Sequence, residues 1–425
     1  MNKARQCYDA THQWSQHHIA IVALCIVCVS EIPCIWVIDK PPHADVHLYY
    51  QAAEGIWNSG KMPYRDFVLE YPPYAIPIFF APGIFGRETY GLSFKLLAVL
   101  ADLIIKYLLF KIGQQAISGI RSLLPLAAYS FALPFIRYFL FQRYDLFPAL
   151  VSLLILVLFW SKKYTAAGVA VVFGAGLKLY PLLFLPPLFL VAFKEGMIRR
   201  FTAGILVGAV PILVLTPFAP WWRFLAFHAE RGLQAESLYA SLLWLAHLIG
   251  GIPAKWEGGH RCTEVHGIFA DTIVPWARLC FAFTVASSSL LVCWGAVRRQ
   301  IQTIADLTTL VMIPLLAFVA FNQVFSPQFL IWLLPLNAIM TLNGSGWRKF
   351  IVPLATALTP LFFPSPGYDG EGITLLQSGV LVSRNLMLVG LWISLMFDLL
   401  KQSRFGRFGA DESVQIPDSA ANPYA

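Results

Sequence analysis

The chain has 425 residues, of which 58% are hydrophobic and 13% are charged, and its formal net charge is +8. Soluble domains contain about 45–50% apolar and about 25% charged residues, so the composition excludes an ordinary soluble enzyme and favours a protein embedded in a bilayer. The positive charge does not indicate nucleic-acid binding, because the basic residues stand between apolar segments instead of clustering on one element. The seven cysteines do not form the paired pattern of a disulfide framework.

Apolar segments follow one another along nearly the whole chain, and a spanning helix needs roughly 20 such residues. The segments cover residues 18–38, 90–113, 122–140, 145–161, 165–179, 180–194, 201–218, 270–295, 303–321, 327–342, 349–363 and 380–400. We therefore expect an all-α, polytopic integral membrane protein. Because several of the segments are short, the expected number of transmembrane helices is a range, about 10–13. No A-x-A site follows the first segment, which is therefore interpreted as a retained signal anchor.

Lysine and arginine are concentrated in every second connection between these segments, which predicts that those connections and both termini are cytoplasmic. The opposite connections are long, and two of them matter below: loop 1, about residues 39–89, and loop 2, about residues 219–270. A third polar connection runs from Pro364 to Ser378. We expect one transmembrane domain over residues 1–400, with loops 1 and 2 on the outer side of the membrane. The cytoplasmic tail, residues 401–425, is predicted to be disordered.

Loop 1 contains two predicted interfacial helices. Apolar residues recur at helical spacing from Asp45 to Trp57, and a second apolar stretch, Tyr74 to Phe85, is too short to span a membrane. Asp45 at the start of the first helix is either an N-cap or a carboxylate that faces a cavity. Glu70 is the rival carboxylate.

Several motifs near the predicted outer face resemble GT-C membrane glycosyltransferases. They are DVHLYYQAA from Asp45, MPYRDF from Met62, EYPP from Glu70, QRYDLFP from Gln142, GLKLYP from Gly176 and FSPQFLIWLLP from Phe325. The resemblance covers residues 15–345 and is greatest to glycosyltransferase family 87, which includes polyprenol-phosphate-mannose-dependent alpha-mannosyltransferases. It implies a GT-C type fold, a polyprenyl-phosphate sugar donor, a lipid or glycan acceptor, and Asp45 as the catalytic base. The last two spans and the loop from His260 to His266 match nothing in the family, which leaves the acceptor open.

The chemistry of such a transfer needs few groups. A lipid phosphate leaves without a proton, so one carboxylate base for the acceptor hydroxyl and cations for the phosphate suffice, and inversion is expected. Lys178 can bind the phosphate or extend to outer headgroups, and Arg143 can bind substrate or pair locally with Asp145. Arg231 is a substrate ligand or a solvated loop charge, and Gln328 binds the sugar or caps a helix. The substrate-binding candidates are Glu70, Tyr71, Arg143, Asp145, Lys178, Tyr180, Arg231, Glu236 and Gln328.

Metal and cofactor signals are weak. His43 and His47 flank Asp45, and His260, Cys262 and His266 share one loop, but neither spacing is typical of a metal site. No cofactor is assigned, and a divalent cation is left open. A transporter or flippase of lipid-linked saccharides is the alternative function. Transporters usually carry internal repeats and midplane charges, whereas this chain has no visible repeat and its charges gather at one face.

Overall fold

A computed structural model describes residues 16–38, 44–259, 262–343, 346–362 and 373–405 of the chain. The N-terminal residues 1–15, His43, His260, most of the predicted third outer connection and the tail beyond residue 405 lie outside these ranges, as do the predictions made for them. The last helix extends to Phe405, five residues past 400, the predicted end of the transmembrane domain.

Helices account for nearly all regular structure in these ranges. They are α1 (Gln16–Ile38), α2 (Ala44–Ser59), α3 (Ala75–Phe80), α4 (Tyr90–Ala116), α5 (Leu124–Leu140), α6 (Leu146–Trp160), α7 (Tyr164–Leu177), α8 (Leu185–Lys194), α9 (Ile198–Leu215), α10 (Arg223–Glu230), α11 (Leu238–Gly250), α12 (Ile268–Arg298), α13 (Ile304–Ala320), α14 (Leu330–Met340), α15 (Arg348–Leu358) and α16 (Leu375–Phe405). Every predicted apolar segment coincides with one of these helices, alone or with a short 3₁₀ turn. The predicted all-α membrane architecture is therefore confirmed.

Five stretches in the described part of the chain are long and apolar enough to cross a bilayer. They are Gln16–Pro33, Ile120–Leu140, Ile198–Leu215, Ile268–Arg298 and Leu375–Lys401. Shorter apolar helices lie among them, and α13 and α14 form the centre of the core. All 11 residues of α14 are buried. A short helix is tolerated there because neighbouring protein, and not lipid, surrounds its ends.

Buried charged residues join α1, α4 and α5 inside the bundle. Lys106 Nζ lies 2.7 Å from Asp102 and also pairs with Glu31, and the Tyr129 hydroxyl donates to Asp102 at 2.6 Å. A buried charge is costly in a membrane unless it is paired. Two carboxylates share one ammonium group here, and these contacts link the three helices to one another.

Loop 2 contains a small sheet that the sequence did not predict. Strand β1 (Leu233–Gln234) and strand β2 (Lys255–Gly259) both pair antiparallel with the central strand β3 (Cys262–His266). These strands are short and lack an alternating apolar pattern, which explains why sequence patterning missed them. The Gln234 amide donates to the Gln323 carbonyl at 3.0 Å, so the sheet is attached to the connection between α13 and α14.

Candidate active site

One cavity of about 1230 Å³ lies where loop 1, loop 2 and the ends of several core helices meet. Most of the candidates named from the sequence line it: Asp45, Glu70, Tyr71, Arg143, Lys178, Tyr180, Arg231, Glu236 and Gln328. Asp145 does not line the cavity but lies directly behind Lys178. The fold therefore brings together residues that are nearly 300 positions apart in the chain.

Asp45 belongs to the first turn of α2, where the helix dipole favours a negative charge. Its carboxylate forms an ion pair with the guanidinium of Arg143, which lies in the connection between α5 and α6. Both side chains are mostly buried, with 15% and 18% of their surfaces exposed. Arg143 is therefore not a local partner of Asp145. The pair holds an ionised carboxylate at the cavity wall.

Lys178 follows the end of α7 in extended backbone conformation, and its amine points toward Asp145 instead of outward. The Nζ atom lies 2.5 Å from Asp145 Oδ1, which also accepts a hydrogen bond from Trp332 Nε1 at 2.9 Å. Three aromatic rings surround the ammonium group, with centroids at 5.4 Å for Tyr144, 5.5 Å for Phe329 and 4.9 Å for Trp332. The structure thus places Lys178 in an aromatic, carboxylate-paired setting at the cavity wall.

Aromatic and amide side chains form the adjoining wall. The Tyr180 ring stacks on Trp332 with centroids 4.4 Å apart, and its hydroxyl accepts a hydrogen bond from Ser152 at 2.9 Å. Gln328 belongs to the 3₁₀ turn that precedes α14. Its Oε1 atom is buried and has no hydrogen-bond partner among the described residues. A buried acceptor without a partner costs free energy, so this atom is suited to a ligand hydroxyl.

Tyr71 and Glu70 form the loop 1 side of the cavity. The Tyr71 hydroxyl lies 3.4 Å from the Tyr49 hydroxyl, and its carbonyl accepts from Tyr64 at 2.6 Å. The Glu70 carbonyl lies 3.0 Å from His228 Nε2 of α10. Since a carbonyl can only accept, Nε2 carries the hydrogen, and this bond links loop 1 to loop 2.

His228 is neutral at this position. Desolvation by the surrounding protein, followed by the positive charges of Arg231 and Lys178, lowers the pKa of His228 to about 4. The imidazole is thus uncharged at pH 7 and adds no cation to the cavity.

A second group of polar side chains lines the loop 2 side. Arg278 of α12 donates from Nε to Gln323 Oε1 at 3.0 Å and from Nη2 to the Ala229 carbonyl at 2.9 Å. Arg231 donates to Gln234 Oε1 at 3.3 Å. Within the described ranges, neither arginine forms a salt bridge with a carboxylate. These two cations are available to an anion, in contrast to Arg143 and Lys178.

Sequence reasoning missed several cavity residues, namely Arg278, Gln323, His228 and Trp332. Arg278 carried a usable signal, because it is a charge well inside the apolar segment 270–295, whose other charged residue, Asp271, stands at the segment's start. Gln323 carried none, since a glutamine beside a helix end has ordinary structural roles, and Trp332 lies within the FSPQFLIWLLP motif but had no signal of its own.

Among the described residues, no three His, Cys, Asp or Glu side chains are grouped closely enough to hold an ion. Cys262 lines the cavity, whereas His43 and His260 lie outside the described ranges.

Comparison with known proteins gives one family match. A family model described as glycosyltransferase family 87 matches residues 67–327, which is more than half of the chain. No curated protein gives a significant match. Among solved structures, the crystal structure of ArnT from Cupriavidus metallidurans bound to undecaprenyl phosphate is 16% identical, with a TM-score of 0.49. That similarity covers 92% of this chain and 77% of the ArnT chain.

Proposed function

The chain belongs to glycosyltransferase family 87, and we propose that this membrane glycosyltransferase moves a hexose, with mannose as first choice, from a polyprenyl-phosphate donor to a lipid or glycan acceptor. The observation that carries the proposal is a single cavity lined by a carboxylate, by cations and by a buried amide acceptor. The distribution of Lys and Arg supports a cavity facing the periplasm of a bacterial inner membrane, with both termini cytoplasmic.

Asp45 is the proposed base. The acceptor hydroxyl gives its proton to the Asp45 carboxylate while its oxygen bonds to the anomeric carbon. The bond from that carbon to the phosphate oxygen breaks, and its electron pair leaves with the polyprenyl phosphate. Because the phosphate departs opposite the entering oxygen, the anomeric configuration inverts. Arg143 holds Asp45 ionised and oriented through their ion pair.

The phosphate is proposed to bind Lys178 together with Arg231 and Arg278, which line the loop 2 side of the same cavity. A charge that grows on the leaving oxygen is stabilised by fixed cations in a site with little water. Gln328 is proposed to accept a hydrogen bond from a sugar hydroxyl. The half-buried rings of Phe281 and Phe318, whose centroids lie 5.2 Å apart at the cavity wall, suit the first isoprenoid units of the lipid.

The test combines a donor panel with one substitution. Purified protein is incubated with polyprenyl-phosphate sugars and an acceptor extract, and transfer is followed by mass spectrometry. Asparagine keeps the shape of Asp45 and its ability to cap a helix but cannot take the proton. Asp45→Asn should therefore fold normally and lose about 10²–10⁴-fold in rate, which raises the barrier by about 3–5.5 kcal/mol.

Glu70→Gln is the matched control, because it makes the same chemical change at the other loop 1 carboxylate of the cavity. Full activity of Asp45→Asn together with loss in Glu70→Gln would move the base to Glu70. Proton NMR of the wild-type product, made from a donor of known configuration, should show inversion at the anomeric carbon. Retention would contradict the single displacement, and absence of transfer from every donor would contradict the proposed function.

A further inference from the structure

Arg384 is a fully buried cation in the first third of an apolar helix. It lies in the spanning part of α16 and none of its surface is exposed. An arginine inside a membrane segment is costly and is generally retained for a specific interaction. The family match ends at residue 327, so nothing in that match accounts for this residue.

The side chains of Arg384 and Asn385 converge on one carbonyl of loop 2. Arg384 Nη2 donates to the Glu236 carbonyl at 2.6 Å, and Asn385 Nδ2 donates to the same oxygen at 3.2 Å. Arg384 also donates to Asn385 Oδ1 from Nε at 3.1 Å and from Nη2 at 2.7 Å. Asn385 Nδ2 lies 3.1 Å from Ser241 Oγ in α11. The backbone of Glu236, a cavity residue, is thus fixed from the last helix.

The same guanidinium also contacts the segment that leads into a second wall of the cavity. Its central carbon lies 4.2 Å from the centroid of Phe325 and 4.9 Å from that of Phe362. Phe325 begins the segment that continues into Gln328 and Phe329, which both line the cavity. One side chain therefore joins the Glu236 wall to the Gln328 wall.

We propose that Arg384 is a positioning residue that sets the distance between these two walls and thereby the position in which the transferred sugar is bound. The inference rests on the proposed function. Arginine is required because its planar fork donates in the plane while its face stacks on aromatic rings. Lysine keeps the charge but cannot make both contacts, and glutamine can keep one hydrogen bond without the charge.

The test compares Arg384→Lys and Arg384→Gln with Arg348→Lys. Arg348 contacts Ser394 at 2.7 Å and also pairs with Asp398. It therefore anchors the same helix, α16, at a point that does not line the cavity. Per folded molecule, both Arg384 variants should lose on the order of tenfold to a hundredfold in kcat/KM for the sugar donor. Binding of polyprenyl phosphate without a sugar should stay unchanged. Arg348→Lys should lower thermal stability only.

Hydrogen exchange supplies a readout that does not need activity. Amides of residues 233–241 and 324–330 should exchange faster in the Arg384 variants and not in Arg348→Lys. If either Arg384 variant fails to fold, Asn385→Ala removes one donor to the Glu236 carbonyl and should give the same pattern more weakly. If the wild-type protein shows no transfer activity, the proposed function is contradicted. The hydrogen-exchange comparison would then still test whether Arg384 positions the two walls. Wild-type kcat/KM and wild-type exchange in the Arg384 variants would overturn the inference.

Discussion

The residues of the cavity are linked by two crossed ion pairs. Arg143 and Asp145 are neighbours in sequence, yet Arg143 pairs with Asp45 and Asp145 pairs with Lys178. The sequence indicated Asp45 by its place at a helix start and by the family resemblance, and it indicated Arg143, Asp145 and Lys178 as charges at or inside apolar segments. The sequence could not predict which carboxylate pairs with which cation, because the tertiary packing of loop 1 and α7 decides which of these groups lie within contact distance.

Removal of the Lys178 charge tests its proposed contact with the donor phosphate. Lys178→Met alone would strand the buried Asp145 carboxylate, which costs about 3–5 kcal/mol in comparable pairs. The double variant Lys178→Met/Asp145→Asn removes both charges and should fold better. Its affinity for polyprenyl phosphate should fall by about 1.5–3 kcal/mol, the scale of a hydrogen bond to a charged group, as measured by isothermal titration.

Arg231→Met is the matched comparison, because it removes a cavity cation without stranding a carboxylate. Weaker binding in Arg231→Met, with wild-type affinity in the double variant, would assign the phosphate to the loop 2 side and leave Lys178 a structural role.

Short elements that end at the cavity determine its shape. Helix α7 ends at Leu177, and α14 begins after the 3₁₀ turn Pro327–Phe329. The sequence predicted these segments well because their apolar runs and prolines are local signals. It missed the sheet of loop 2, whose strands become stable only by pairing with one another and by packing against the core.

Gly176 shows how closely loop 1 packs on α7. Its carbonyl accepts from the Tyr74 amide at 2.8 Å, and an added Cβ would lie 2.1 Å from the Tyr74 ring. Gly176→Ala should displace loop 1, lower stability by about 1–3 kcal/mol, and reduce activity. Thermal unfolding and transfer assays measure both effects.

Gly390 provides the control, because it lies in α16 and an added Cβ would meet nothing within 4 Å. Gly390→Ala should raise stability by about 0.5–1 kcal/mol through helix propensity. If Gly176→Ala and Gly390→Ala have the same stability and activity, the close approach of Gly176 to the Tyr74 ring is not important for the fold.

The whole molecule places loop 1 and loop 2 over one end of a helical bundle. Composition and the spacing of apolar segments were sufficient to predict the bundle, because hydrophobic burial in a bilayer is a strong, additive signal. The joining of the loops into one cavity was beyond sequence patterning. It depends on contacts such as the bond between His228 and the Glu70 carbonyl, which join residues 158 positions apart.

Orientation in the membrane can be tested with single cysteines in a chain whose native cysteines are replaced. Ser59 in loop 1 and Glu257 in loop 2 are exposed, as is Ser161 in the connection after α6. Cysteines at Ser59 and Glu257 should react with an impermeant thiol reagent from outside, whereas one at Ser161 should react only after the membrane is opened. The same labelling at all three positions would contradict the proposed topology.

The two arginines without carboxylate partners have a kinetic consequence. The proposed donor is a phosphodiester with one negative charge, and the lipid that would remain after transfer is a monoester with a higher charge. Arg231 and Arg278 should hold that product more tightly than the donor, since attraction grows with charge. We therefore expect departure of the spent carrier, and not the bond-forming step, to set the pace of turnover. The turnover rate would then be set by how fast the used lipid phosphate dissociates from the cavity.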